Sequence, residues 1–186
     1  TSAGKILLPL SYDAIGTVKN GVVSLLTAMK FGLYDCVRRK LIKPQFEKNL
    51  TVYNPSVLTA YKNGMYGFIG WKNDPISKIE FEEIRFWNDS AALVRKNNQW
   101  MIYEIASRKT LLDKVQEYRL IRDDQEGKLA IVKQEHKFGV IHSEKGTIIP
   151  ISFSDIVNVG SPAEPLYFTE KHVEEASIFV VIYYDS

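Results

Sequence analysis

The sequence has one cysteine, Cys36, among 186 residues. That excludes an intramolecular disulfide and leaves a thiolate metal site short of ligands. Its place after Phe31–Gly32 predicts a small buried residue. Neither sign of charge dominates, with 24 Lys plus Arg against 22 Asp plus Glu and a formal net charge of +2. The longest basic cluster is Arg38–Arg39–Lys40, read as a solvated turn. The electrostatic stripe of a nucleic-acid binder is missing, so no nucleic-acid partner is expected. No apolar run approaches the roughly 18 residues that mark a membrane-spanning helix, and no long stretch has helical periodicity. The sequence begins at Thr1 with neither an initiator Met nor the apolar core of a signal peptide. A processed or trimmed form is expected, with cytoplasmic and exported locations both open.

Catalytic patterns are equally scarce. His136, His142 and His172 lie apart, none at ligand spacing from Cys36 or from one another. The acidic pairs Glu82–Glu83, Asp123–Asp124 and Glu174–Glu175 are adjacent in sequence. Neighbours on a strand face opposite ways, which does not suit two carboxylates flanking one substrate. Asp123-Asp124-Gln125-Glu126-Gly127 lacks the alternating ligands and distal Glu of a calcium loop and reads as a polar turn. No phosphate-cradling glycine loop or nucleophile elbow occurs. The expectation is a protein that is not an enzyme, with no catalytic, cofactor-binding or metal-binding residues and no cofactor.

What the sequence does have is a period. Phe31–Gly32, Tyr66–Gly67, Trp100–Met101 and Phe138–Gly139 open successive segments 35, 34 and 38 residues apart. A second column, Phe46, Phe81, Val115 and Phe153, follows each aromatic by 15 residues, and Tyr12 precedes Phe46 by 34. Residues two and four before this column are mostly apolar, as in Leu8/Leu10/Tyr12, Ile42/Pro44/Phe46, Ser77/Ile79/Phe81 and Ile149/Ile151/Phe153. Such alternation predicts a half-buried strand. A third strand is predicted before each aromatic, at Val57–Tyr61, Ala91–Arg95 and Leu129–Lys133. Asn63–Gly64 predicts a two-residue hairpin with positive φ at both positions, with Asn97–Asn98 equivalent to it. Ser143–Gly146 is read as the turn between the first two strands of the last repeat. Units this small cannot bury enough apolar surface alone, so neighbours must share a core.

Five repeats are read, over residues 1–30, 31–65, 66–99, 100–137 and 138–186, within a single domain at 1–186. Phe31-Gly32-Leu33-Tyr34-Asp35 with Leu41–Glu47, Tyr66-Gly67-Phe68-Ile69 with Glu80–Ile84, and Phe138-Gly139-Val140-Ile141 with Gly146–Pro150 carry a resemblance. They are similar to the WG repeat, a bacterial β-repeat named for its Trp-Gly step. No repeat here keeps an intact Trp-Gly, and the fourth has Trp100–Met101. The resemblance implies an interaction scaffold and supplies no catalytic residues.

The fold expected is all-β, with tandem antiparallel three-stranded repeats in an open array and a five-bladed propeller-like ring as the alternative. The expected function is a non-enzymatic scaffold for a protein or peptide partner. The alternative is a carbohydrate-binding module using exposed aromatics. A hydrolytic site in the last repeat would need a cleft holding two carboxylates. The candidate binding surface is Trp71 and Trp87, which lie off both columns, with Tyr167 and Phe168 from an apparent insertion of about a dozen residues after Phe153. That insertion, 162–177, is expected to cap the apolar strand 178–184, or else a second copy of the chain covers it. Oligomeric state is not legible.

Overall fold

The structure is a computed structural model and describes residues 8–9, 11–173 and 178–185. Two compact bodies are present, Thr1–Ile84 and Arg85–Ser186. Among the described residues every regular element is a strand, and all the strand pairs are antiparallel.

In the first body, β1 (Ala14–Ile15), β2 (Val22–Thr27), β3 (Lys30–Asp35) and β4 (Lys40–Phe46) form a four-stranded meander. β5 (Thr51–Asn54), β6 (Val57–Lys62) and β7 (Met65–Gly70) form the next sheet. A seven-stranded sheet follows, made of β8 (Glu83–Phe86), β9 (Ala91–Lys96), β10 (Gln99–Glu104), β11 (Lys109–Asp124), β12 (Gly127–Gln134), β13 (Lys137–His142) and β14 (Gly146–Phe153). The last sheet holds β15 (Asp155–Asn158), β16 (Leu166–Val173) and β17 (Ile178–Asp185). None of the four sheets closes into a barrel.

The two sequence columns meet across the ladder. Phe31 pairs with Phe46, Trp100 with Val115 and Phe138 with Phe153, while Tyr66 bridges Phe81. Phe46, Phe81, Val115 and Phe153 are all buried. Directly opposed large apolar side chains on one face are the unit of sheet stabilisation. Beyond each aromatic the partner strand bulges. From Phe31 to Leu33 the partner runs from Phe46 to Ile42, and from Phe138 to Val140 it runs from Phe153 to Ile149. Four residues there oppose two, so the partner backbone folds down onto the glycine. A Cβ on Gly32 would stand 2.4 Å from the Ile42 carbonyl oxygen, and one on Gly139 would stand 2.8 Å from that of Ile149. The close approach is what demands glycine. Opposite Met101 the partner takes only three residues, Val115 to Leu112, with Lys114 at φ 49°. The smaller bulge leaves room for a side chain.

The hairpins repeat as expected. Asn63 and Gly64 have φ of 53° and 80°, joining Lys62 to Met65. Asn97–Asn98 has the same geometry, and so do Ala28–Met29 and Glu135–His136. The last two pairs lack the Asn and Gly that make positive φ easy, so the ladder imposes a conformation their sequence does not favour.

Each repeat also holds a strand that three-strand counting missed. The apolar residues just after the second column, Ile15, Ile84 and Ile156, lie in the short strands β1, β8 and β15. In the fourth repeat β11 runs on for 16 residues, pairing first with β10 and then with β12. One strand thus serves two meanders.

Three further expectations change. Residues 77–81 do not form a strand, because the Ser77 hydroxyl takes the ladder position and accepts the Phe68 N–H at 2.9 Å. Tyr12 is half-buried outside any strand and packs with Leu8 and Cys36 on Val23, Leu25 and Tyr34; Leu10 lies outside the described residues. The apparent insertion after Phe153 contains β16, which pairs with β15 and β17 as an ordinary third strand. The extra length is confined to the loop between Asn158 and Leu166. Coverage of the two faces of residues 178–184 lies outside the described side chains.

Candidate functional site

Two recurrent polar positions hold turns in several of the repeats. The first is the fourth residue after the opening aromatic. Asp35 Oδ1 accepts the N–H groups of Val37 and Arg38, both at 2.8 Å, and Oδ2 accepts from the Arg38 guanidinium at 2.9 Å. Two periods on, Glu104 accepts from the Ser107 hydroxyl, while the position between them is Gly70. In the last repeat His142 Nδ1 accepts the N–H groups of Glu144 and Lys145, at 3.1 and 3.3 Å. The second is an Asx position before the third strand. Asn54, Asn88, Asp124 and Asn158 each accept backbone N–H groups two or more residues on. Side chains of this type mimic a backbone turn. Sequence reading missed both columns, although Asn54, Asn88, Asp124 and Asn158 recur at about the repeat period.

In the second body these positions surround a cavity of about 380 Å³. Its apolar wall is Trp87, Ala91, Ile102, Leu112, Ile141 and Ile151, and its polar wall is Asn88, Ser90, His142, Ser143, Glu144 and Thr147. A second cavity of about 290 Å³ shares Trp87, Asn88, Ser143 and Glu144 and adds Asp89, Asp123, Asp124 and Lys128. Asn88 Nδ2 donates to the Ser143 carbonyl at 2.6 Å, and this bond lies where the two cavities share a wall. The Ser143 hydroxyl accepts the Lys128 N–H at 2.9 Å and donates to Glu144 Oε1 at 3.1 Å.

His142 is only 3% exposed. Its pKa is pushed below the ordinary value, first by burial and then by the Lys145 and Arg122 charges. Nδ1 accepts two N–H groups, so the proton resides on Nε2, which is buried and has no hydrogen-bond partner. Tyr167 is fully buried, its hydroxyl is likewise unpartnered, and burial pushes its pKa to about 12.

The candidate aromatics do not gather into a surface. Trp71, in the first body, is 7% exposed, donates its indole N–H to the Pro55 carbonyl at 3.0 Å and has the Arg38 guanidinium 5.1 Å from its ring centroid. Trp87 is 4% exposed and meets Tyr118 edge to face at 6.0 Å. Tyr167 packs with Leu129, Phe138, Phe153 and Ile156, and Phe168 is half-buried. A position off the repeat columns therefore does not make these side chains exposed. Trp71, Trp87 and Tyr167 instead belong to the buried core clusters. Among the described residues no three of His, Cys, Asp and Glu come together as a metal site.

Antiparallel meanders, shared cores and period-spaced turn caps define a tandem β-repeat scaffold. Residues 66–100 match the family described as "WG containing repeat", so the chain carries a WG repeat there. The match runs from one opening aromatic to the next. No curated protein matches the sequence. Among solved structures, a eukaryotic initiation factor is 10% identical with a TM-score of 0.43, the similarity covering 91% of this chain and 50% of that one. Kluyveromyces marxianus Hsv2 is 14% identical with a TM-score of 0.45, over 95% of this chain and 67% of that one. KlAtg21, solved in complex with the coiled coil of AgAtg16, is 15% identical with a TM-score of 0.37, over 93% and 70%. The chain thus spans half the length of the initiation factor it resembles.

Proposed function

We propose that the protein is a non-catalytic scaffold that binds a protein or peptide partner through its second body. The observation that carries this reading is the pair of adjoining cavities there, one half apolar and the other rimmed by Asp89, Asp123 and Asp124. Apolar pockets with a few convergent polar groups are the usual form of a ligand site. A carbohydrate platform is less well supported, because Trp71, Trp87 and Tyr167 are buried and cannot stack on a sugar. Screening the full chain in parallel on a random-peptide display library and a glycan array tests the reading. Enrichment of a peptide motif with a silent glycan array is expected. Glycan binding without peptide enrichment would overturn it.

A further inference from the structure

The hairpins that lead into the opening strands all place an aromatic at the same position. Lys30, Met65, Gln99 and Lys137 close the turns, and the next residue is Phe31, Tyr66, Trp100 or Phe138. β17 follows β16 in the same way, with Ile178 opposite Val173, so Phe179 takes the aromatic position and is a fifth member of that column. The other four meet a second-column residue on their far side, Phe46, Phe81, Val115 and Phe153. Among the described residues β17 pairs with β16 alone, which leaves its other edge open. An open edge is a template for a further strand.

The second column has a matching surplus. Tyr12 is its fifth member and lies in no strand. Its neighbour is nonetheless docked as the column requires. Asp13 donates its N–H to the Leu26 carbonyl in β2 at 2.9 Å, as Glu47 after Phe46 donates to that of Tyr61 in β6 at 3.0 Å. In sequence, Leu7-Leu8-Pro9-Leu10-Ser11-Tyr12 repeats Ile148-Ile149-Pro150-Ile151-Ser152-Phe153 position by position. The latter segment is the part of β14 whose ends pair with Phe138 and Val140 of β13. Pro150 falls within the bulge there, where a strand tolerates a missing N–H.

We infer that the segment ending at Tyr12 in one copy of this chain adds as an antiparallel strand to the open edge of β17 in a second copy, with Tyr12 opposite Phe179. The occupant is a second copy because within one chain Tyr12 stays outside any strand. At the glycine position β17 has Val180, as β10 has Met101, so the added strand takes the narrower bulge seen opposite Met101. Backbone bonds supply the affinity, and the alternation of Leu8, Leu10 and Tyr12 sets the register. Donor and acceptor are different surfaces, so the contact is head-to-tail and each copy both gives a strand and receives one. The inference does not depend on the cavities of the second body.

Sedimentation velocity of the full chain, from dilute to concentrated solution, reads the association. The mean mass should rise with concentration, and an excess of a synthetic peptide of residues 5–13 should return it to that of one chain. The same peptide carrying Leu8→Asp and Leu10→Asp should have no effect. Oxidative cross-linking then fixes the register. Two single-cysteine chains are mixed, Cys36→Ser with Tyr12→Cys and Cys36→Ser with Phe179→Cys, each first shown to keep a cooperative thermal transition. Opposed positions meet at disulfide distance, so the mixed dimer should exceed either like-with-like dimer by about tenfold. A chain that stays single at every concentration, an association the peptide leaves intact, or cross-links of equal yield would overturn the inference. Peptide uptake by a chain that remains monomeric would overturn it too, since the edge would then have a different occupant.

Discussion

Asp35 and His142 hold the same post in two different repeats. Each is the last residue of an opening strand, and each accepts two backbone N–H groups from the turn that follows. For Asp35, burial pushes the carboxyl pKa up, but the hydrogen bonds from Arg38 and Val37 outweigh it and the net shift is downward. A folded-state value below the unfolded one of about 4 means stability that is present above that pH and lost as pH falls through the lowered value. Asp35→Ala should cost about 1–3 kcal/mol near neutral pH, through two unsatisfied turn donors. Urea titrations at pH 7 and pH 3 check this, and the gap between variant and wild type should shrink at the lower pH.

The hairpins give a prediction with two signs. Gly64 has φ of 80° in open space, so Gly64→Val should destabilise by more than about 1 kcal/mol from backbone strain alone. Glu135 and His136 sit at φ of 48° and 64°. The double replacement Glu135→Asn with His136→Gly should stabilise by about 1 kcal/mol, because the turn then has the residues its geometry favours. Denaturant midpoints of the three proteins decide both parts, and a stable Gly64→Val would count against the hairpin.

The bulge account separates glycine from methionine at one repeat position. Gly139→Ala should be strongly destabilising, at about 2–4 kcal/mol, because the new Cβ meets the Ile149 carbonyl and the Ile151 Cα, each at 2.8 Å. Met101→Gly should cost only about 1 kcal/mol, since its narrower bulge already admits a side chain. Equal losses in thermal unfolding would contradict the difference in bulge size.

Alkaline pH should weaken the second body through two tyrosines. Burial raises both Tyr118 and Tyr167 to about 12, with Asp123 adding to the shift at Tyr118. The unfolded chain loses these protons from about pH 10, ahead of the folded one. Stability should hold below that pH and fall as pH rises toward 12. Tyr167→Phe should flatten the decline and cost little at pH 7, because the hydroxyl it removes has no partner. An unchanged alkaline slope in this variant would show that Tyr167 does not contribute.

The repeat was legible because its two columns face each other across one ladder, so a single contact, such as Phe138 on Phe153, marks the sequence twice. Asn63–Gly64 was legible because few residue pairs accept its dihedral angles. The short strands β1, β8 and β15 were not, since two to four residues carry too little alternation to declare themselves. The β16 strand was hidden behind the loop that lengthens its approach from Asn158. Trp71 and Trp87 misled because a residue outside a periodic pattern can still belong to the core. His142 looked like a stray histidine, and its role appeared only when the turn it caps could be laid beside that of Asp35.

The most direct measurement of the central claim is hydrogen–deuterium exchange of the full chain with and without a display-selected peptide. The account predicts added protection at residues 87–91 and 141–147, where the walls of the larger cavity lie, with the first body unchanged. Protection confined to the first body, or none in the second despite saturating peptide, would contradict it.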